Sequence, residues 1–219
     1  VVFAGSDSIV LRQAGKIPTV LCNDLHRHSI NLGRVIASPS LKEKLAKRLA
    51  KKLFHPDELA TAQAKAKAWK PTDTPDLDAA TWYFISQWMG RSAMAGTKNE
   101  FSGGLSIRWG SGGGDSNRRY RSAVESLDAW HTAMLCCSFS TEDFRVFLAK
   151  SLKQDKRSHA IYCDPPFPAG GERYLYAFTP QDHRDLRDAV AKFTATRVLM
   201  RYYDHPRVQK LYADKDKWR

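Results

Sequence analysis

"VVFAGSDSIVLRQAGKIPTVLCND" (Val1–Asp24) carries the reading of the fold. Val1–Phe3 is a short β-branched and aromatic run, suited to the end of a strand. Gly5 and Ser6 make a tight turn after it, since glycine reaches backbone angles that a Cβ disfavours. Ser8–Gln13 predicts a short helix. Thr19–Cys22 is a second buried strand, ending on Asn23-Asp24, and a helix over about Arg27–Ala37 follows. Strand, glycine turn, helix, strand and acid together make half of a nucleotide-binding α/β unit. A glycine at such a turn lets a ligand approach the backbone, and the helix N-terminus behind it can hold a carboxylate or phosphate. An acid about twenty residues beyond the turn suits ribose hydroxyls. Asp24 occupies that place, where it also has a plainer reading as a helix N-cap. The chain opens inside this unit, so an upstream segment is expected.

The last third returns to the same alternation. "AMLCCSF" reads as a strand and "TEDFRVFLAKSL" as a helix capped by Thr141. "HAIYC" reads as a strand. "TPQDHRDLRDAVAKF" reads as a helix with Thr179 at the cap and Pro180 in the first turn. "RVLMRYY" is a further strand and "HPRVQKLY" begins a further helix. Between the two α/β parts lies a mainly helical stretch. In "LKEKLAKRLAKKLF", Leu41, Leu45, Leu49 and Leu53 recur every four residues with lysines on the other faces. His55-Pro56-Asp57 interrupts that helix, with Asp57 as candidate cap for "ELATAQAKAKAW". A third helix, about Leu77–Met89, carries Trp82, Tyr83, Phe84 and Trp88 as core aromatics. Gly96–Ser122 holds seven glycines, several arginines and few apolar residues, which predicts loops with a small hairpin around Leu105–Trp109. A helix over about Tyr120–Ala133 closes the stretch. The expected organisation is therefore an α/β core of residues 1–38 and 131–219, split by an insertion over 39–130.

Charge sharpens this division. The 219 residues carry 35 Lys+Arg against 23 Asp+Glu, a formal net charge of +12. Residues 41–70 hold nine Lys/Arg against three acids, and residues 91–121 hold six against two. A surplus that large favours a polyanionic partner, and it is concentrated in the insertion. The lysines of 42–52 read equally as a solvated helix face. No apolar run reaches the length of a membrane span. No basic-then-apolar leader opens the chain, so a cytoplasmic protein is expected. Cys22, Cys136, Cys137 and Cys163 have neither Cys-x-x-Cys pairing nor zinc-ligand spacing, so they are expected to be thiols and no metal is expected.

The chemistry is concentrated in "AIYCDPPFPAGGERYLYAF" (Ala160–Phe178). A strand stops there on an acid, two prolines and an aromatic ring. The Asp164 carboxylate and neighbouring carbonyls can accept hydrogen bonds from an exocyclic NH2, orienting it and raising electron density on its nitrogen. Pro165 and Pro166 fix the backbone, and the Phe167 ring can stack on a flat base. The plainer reading is a strand that terminates in a proline turn.

Taken in order, these motifs resemble the Dam-like, alpha-order adenine-specific DNA methyltransferases. Phe3-Ala4-Gly5-Ser6-Asp7-Ser8 resembles their first motif, and "VLCNDLHRHSINLGRVI" their strand ending in Asn-Asp. Asp143-Phe144 resembles their strand exit, and Asp164-Pro165-Pro166-Phe167 their catalytic tetrad. "FTPQDHRDLRDAV" and "VLMRYYDHPRVQKLY" resemble the elements that follow. The resemblance spans nearly the whole chain. It implies a Rossmann-like, S-adenosylmethionine-dependent core with an inserted, mainly helical, basic target-recognition domain. It implies N6 methylation of an adenine flipped out of double-stranded DNA, in restriction-modification or phage self-protection. Phe3, Ala4, Gly5, Ser6, Asp24, Asp143, Phe144 and Asp164 would then contact the cofactor. Arg91, Lys98, Asn99, Arg108, Arg118, Arg119, Arg121 and Arg173 are the candidate DNA contacts. The sequence departs from the pattern at Asp7, where the family usually has a second glycine, and at Phe167, where tyrosine is commoner. The family's Trp-Ala-Gly-Gly-Lys type of motif is not found. A DNA-binding but non-catalytic fold, and a methyltransferase acting on RNA or another amine, are the alternative readings.

Overall fold

A computed structural model describes residues 1–5, 11, 16–91, 95–107, 115–214 and 218. Ser6, Asp7, Ser8, Arg108, Trp109 and, apart from Leu11, the helix expected over Ser8–Gln13 lie outside the described residues. Along the chain come β1 (Val20–Asn23), α1 (Arg27–Ala37), α2 (Pro39–Ala50), α3 (Pro56–Ala68), α4 (Leu77–Met89), α5 (Ser116–Glu125) and α6 (Leu127–Met134). Then follow β2 (Cys137–Ser140), α7 (Phe144–Leu152), β3 (Ala160–Cys163), α8 (Pro180–Val190), β4 (Arg197–Met200) and α9 (Pro206–Leu211). The backbone contacts divide the chain into two compact units. One comprises Val1–Gly5, Leu21–His26 and Ser140–Arg219; the other comprises Ser6–Val20 and Arg27–Phe139.

The first unit is a small parallel α/β assembly. β3 and β4 pair in parallel, with Ala160 opposite Arg197 and Cys163 opposite Met200. The segment Val1–Ala4 behaves as a strand between β1 and β3. On one side Val1 N donates to Leu21 O at 2.8 Å and Asn23 N donates to Val1 O at 3.0 Å. On the other, Val2 N donates to Tyr162 O at 3.0 Å. β1 pairs with β2, and within this unit Asp24 N donates to Ser140 O at 3.2 Å. With Val1–Ala4 counted as the first strand, the strand order is 3-2-1-4-5. That is the doubly wound order, whose direction reverses between the first and fourth strands. α7 and α8 pack against each other beneath the strands. Their apolar faces bury Phe144, Leu148, Leu186 and Val190 around Val2 and Cys163.

The second unit is helical. α1, α2, α4, α5 and α6 pack around Ile36, Leu45, Leu49, Phe84, Ile85 and Tyr120, all less than 2% exposed. Phe84, Tyr83, Trp82 and Trp88 are core residues or packed on the core, as their position in an apolar helix predicts. Helix starts follow the expected chemistry with some corrections. Asp76 caps α4, accepting from Ala79 N at 3.0 Å. His55, not Asp57, caps α3, because Pro56 takes the first helical position and the His55 ring accepts from Asp57 N. Leu53 is 69% exposed, since α2 ends at Ala50. The helix expected over Tyr120–Ala133 is two helices that meet at Ser126. Ala133 and Met134 belong to α6, and the strand starts only at Cys137: a short apolar run reads equally as helix or strand. Asp143, not Thr141, caps α7 by accepting from Arg145 N at 2.8 Å.

Candidate active site

In open parallel sheets ligands sit beyond the carboxyl ends of the strands, at the point where strand order reverses. In the first unit those ends carry Gly5, Asp24, Asp143, Asp164 and Arg201. Asn23 ties three of them together. It is 2% exposed, and its Nδ2 donates to Val2 O and to Glu142 O at 2.9 Å. Its Oδ1 accepts from Ser140 Oγ at 2.7 Å and from Glu142 N at 2.9 Å. A buried amide satisfied on both atoms fixes the strands that it bonds. Asn23 read in the sequence only as a strand end, because its partners lie up to 119 residues away.

Asp24 accepts from Gly5 N at 2.7 Å on one oxygen and from His26 N at 2.8 Å on the other. It therefore joins the first strand's turn to its own, rather than capping the first turn inside α1. Gly5 has φ +53, and a Cβ built there would meet none of the described residues within 4 Å. Glycine here serves the left-handed backbone.

Phe3, Phe144 and Phe178 form a cluster of rings with centroids 5.2 to 6.0 Å apart. Phe144 is 4% exposed and belongs to the apolar core, whereas Phe3 is half-buried. Asp143 pairs with Arg145, which also reaches Asp182 and Asp185 of α8 and lies 4.4 Å from the centre of the Phe144 ring. Arg145 thus holds the α7 N-terminus to α8. Behind this, His183 is fully buried, with Nδ1 3.0 Å from the Tyr202 hydroxyl. Burial, with Arg207 nearby, lowers its pKa.

At the exit of β3, Asp164 is half-buried and Pro165 is buried. Arg201 Nη1 donates to Asp164 Oδ2 at 2.8 Å. The Phe167 ring lies 4.4 Å from Tyr203 and 6.1 Å from Tyr202. Gly170 has φ +81 and initiates the single turn Gly171–Arg173, and Gly171 packs against Pro166. Arg173 is exposed. The described residues expected to serve cofactor and catalysis therefore all fall in one unit, and Arg201 joins them unannounced by any motif.

The remaining candidate DNA contacts belong to the second unit. Arg91, Lys98, Asn99 and Arg118 are exposed, and Arg119 is half-buried. Lys98 and Asn99 sit on a turn held by the buried Glu100, which accepts from Gly96 N at 3.0 Å. Arg121 is engaged elsewhere, donating to Ala50 O at 2.8 Å and Lys52 O at 3.1 Å past the end of α2. On α2, Lys42, Lys47 and Arg48 pair with Asp128, Glu43 and Asp78, and just past its end Lys52 pairs with Glu58. Much of that lysine face is thus neutralised locally.

Residues 2–218 match the family model of the D12 class N6 adenine-specific DNA methyltransferases. The chain belongs to this family. Its reaction is transfer of a methyl group from S-adenosylmethionine to the N6 amine of adenine in double-stranded DNA. No curated protein matches the chain. Among the described residues no helix is long and apolar enough to cross a membrane, and no group of three or more His, Cys, Asp or Glu is placed to hold a metal ion. The strand ends fit the cofactor. Each Asp24 oxygen already accepts one N–H and keeps a lone pair for a ribose hydroxyl. Among the described residues, nothing blocks the approach of a group to the Gly5 backbone.

Proposed function

We propose that Asp164, Pro165, Pro166 and Phe167 hold the flipped adenine, and that Phe3, Ala4, Gly5, Ser6, Asp24, Asp143, Phe144 and Asp164 form the cofactor site. The observation that carries this reading is the position of Asp164. It leaves β3 immediately beside the first strand, at the reversal of strand order, with Gly5 and Asp24 at the neighbouring strand ends. When bound, S-adenosylmethionine would supply an electrophilic methyl group: as the N6–C bond forms the C–S bond breaks, S-adenosylhomocysteine leaves as the thioether, and an N6 proton is released to solvent. The chain's own residues position the amine and shape its electron density. The Asp164 carboxylate accepts a hydrogen bond from the amine, which draws the nitrogen lone pair toward attack. The rigid proline pair fixes the carboxylate relative to the ring, and Phe167 stacks on the purine. An adenine inside a duplex is out of reach of such a corner, so base flipping precedes transfer. No enzyme-bound covalent intermediate is required, and the four cysteines have no part in the reaction. Positioning and fixed electrostatics supply the rate enhancement.

Residues 39–130 are the inserted target-recognition region in this reading. Arg91, Lys98, Asn99, Arg108, Arg118, Arg119 and, from the catalytic side, Arg173 supply phosphate or base contacts. Arg121, a candidate of the same set, is given in this reading to the end of α2 rather than to DNA.

The test is methyl transfer to unmethylated duplex DNA from labelled S-adenosylmethionine, read as N6-methyladenine. Asp164→Ala is expected to lower kcat by about 10²-fold or more, the scale of losing one fixed polar contact to the reacting group. Calorimetry with S-adenosylhomocysteine follows cofactor binding in the same variant. Full transfer by Asp164→Ala would refute the assignment of the adenine site.

A further inference from the structure

Asp164 is met by a partner that the sequence motifs do not name. In the parallel pair of β3 and β4, Cys163 stands opposite Met200. The next residue along each strand is Asp164 and Arg201, and Arg201 N donates to Cys163 O at 2.9 Å, extending the ladder by one bond. Strand register alone therefore brings Arg201 alongside the acid. Its guanidinium reaches Asp164 Oδ2 through Nη1 at 2.8 Å. The Tyr162 hydroxyl, two residues before Asp164 and on the same face of the strand, lies 3.5 Å from that same oxygen. Among the described residues, no hydrogen bond reaches Asp164 Oδ1.

We propose that Arg201 is a positioning residue for the methyl transfer, anchoring Asp164 through Oδ2 so that Oδ1 is kept as the acceptor for the N6 amine. The inference rests on the reading of Asp164 as the amine acceptor. An aspartate carboxylate turns about both Cα–Cβ and Cβ–Cγ and presents either oxygen at many angles, and a hydrogen bond from a charged donor restricts that freedom. Asp164 follows a buried strand end and precedes two prolines, so its backbone is already fixed. The two rotations of its side chain are the remaining freedom, and the Arg201 hydrogen bond restrains them. The Arg201 side chain is 56% exposed and the Asp164 carboxylate 25%. At that exposure the ion pair adds little to folding stability. Its effect is expected in the reaction, where small errors of placement have large consequences.

Arg201 could instead serve as a phosphate contact for DNA, and the experiment separates the two roles. Arg201→Met, Arg201→Gln and Arg201→Lys are compared with the unaltered chain at saturating unmethylated duplex DNA. Loss of positioning predicts that Arg201→Met and Arg201→Gln lower kcat by about 10²-fold. KM for DNA, its salt dependence, S-adenosylhomocysteine affinity and the melting temperature stay unchanged. Arg201→Lys restores a charged donor to Oδ2 and is expected to recover at least about tenfold of the loss, the worth of a modest charged hydrogen bond. In an Asp164→Ala background, Arg201→Met is expected to cost nothing further. The inference is overturned by unchanged kcat in Arg201→Met, by a raised KM with a shallower salt dependence at unchanged kcat, or by a lysine variant as poor as the methionine one. Should Asp164→Ala itself remain active, the reading of the acid fails and the inference with it. An inactive Asp164→Ala beside a fully active Arg201→Met sinks the inference alone.

Discussion

In the proposed adenine site, Phe167 offers the base the flat face of its ring. That ring touches Tyr203, which is 64% exposed, so the aromatic surface at the β3 exit is continuous with solvent. Stacking a base on an aromatic ring contributes about 1–3 kcal/mol. Phe167→Ala is therefore expected to raise KM for duplex DNA or lower kcat, with a total loss in kcat/KM of roughly 5- to 150-fold. Phe167→Tyr keeps the ring and is expected to remain close to the unaltered chain. Steady-state methylation kinetics on the two variants check this, and a fully active alanine variant would remove Phe167 from the adenine site. At this scale the sequence was most informative where chemistry is local. Asp164 and Phe167 stand within one tetrad, and Asp24 follows directly from a strand end. Asn23, Arg145 and Arg201 were opaque for the opposite reason. Each has at least one partner 37 or more residues away, so their full roles exist only once the strands are side by side or the helices are packed.

α8 shows the same contrast for whole elements. Its N-terminus is a capping box: the Thr179 hydroxyl accepts from Asp182 N at 3.2 Å, and Asp182 Oδ2 accepts from Thr179 N at 2.7 Å. Pro180 sits in the first turn, where no N–H is missed. The helix buries His183, Leu186 and Val190, so its start sets the face that covers the strands. Thr179→Ala is expected to reduce stability by about 1 kcal/mol. The urea midpoint would fall with an unchanged slope, because the area exposed on unfolding stays the same. A change in slope would mean that the variant alters the folded or unfolded state more broadly. This helix was legible because cap, proline and apolar spacing agree with one another. The start of α7 was less so: Thr141 and Asp143 are both good caps, and only Asp143 has its side chain within reach of Arg145 N. Likewise Ala133–Cys136 is apolar enough for either state; burial in the helical unit draws Ala133 and Met134 into α6, whereas Leu135 and Cys136 form the turn before β2.

Across the molecule, the +12 charge cannot be treated as one uniform attraction. α2 looked like a basic face, yet three of its cations, and Lys52 just past its end, have carboxylate partners. Arg118 and Arg121 lie three residues apart on α5 and differ more than their charge suggests. Arg118 is exposed, whereas the Arg121 guanidinium spans the carbonyls of Ala50 and Lys52. A phosphate contact releases counterions, so its removal lowers the slope of log affinity against log salt by about 0.9. Arg118→Ala is expected to show that change, with weaker duplex binding and an unchanged melting temperature. Arg121→Ala leaves the carbonyls at the end of α2 without their donor, so it is expected to reduce stability by about 1 kcal/mol. Because that guanidinium is already committed to backbone carbonyls, the salt slope of Arg121→Ala should remain near that of the unaltered chain. Fluorescence anisotropy over a salt series, run beside thermal melts, measures both quantities on both variants. If Arg121→Ala flattens the slope as much as Arg118→Ala, the two arginines serve DNA alike and their different settings on α5 carry no functional weight.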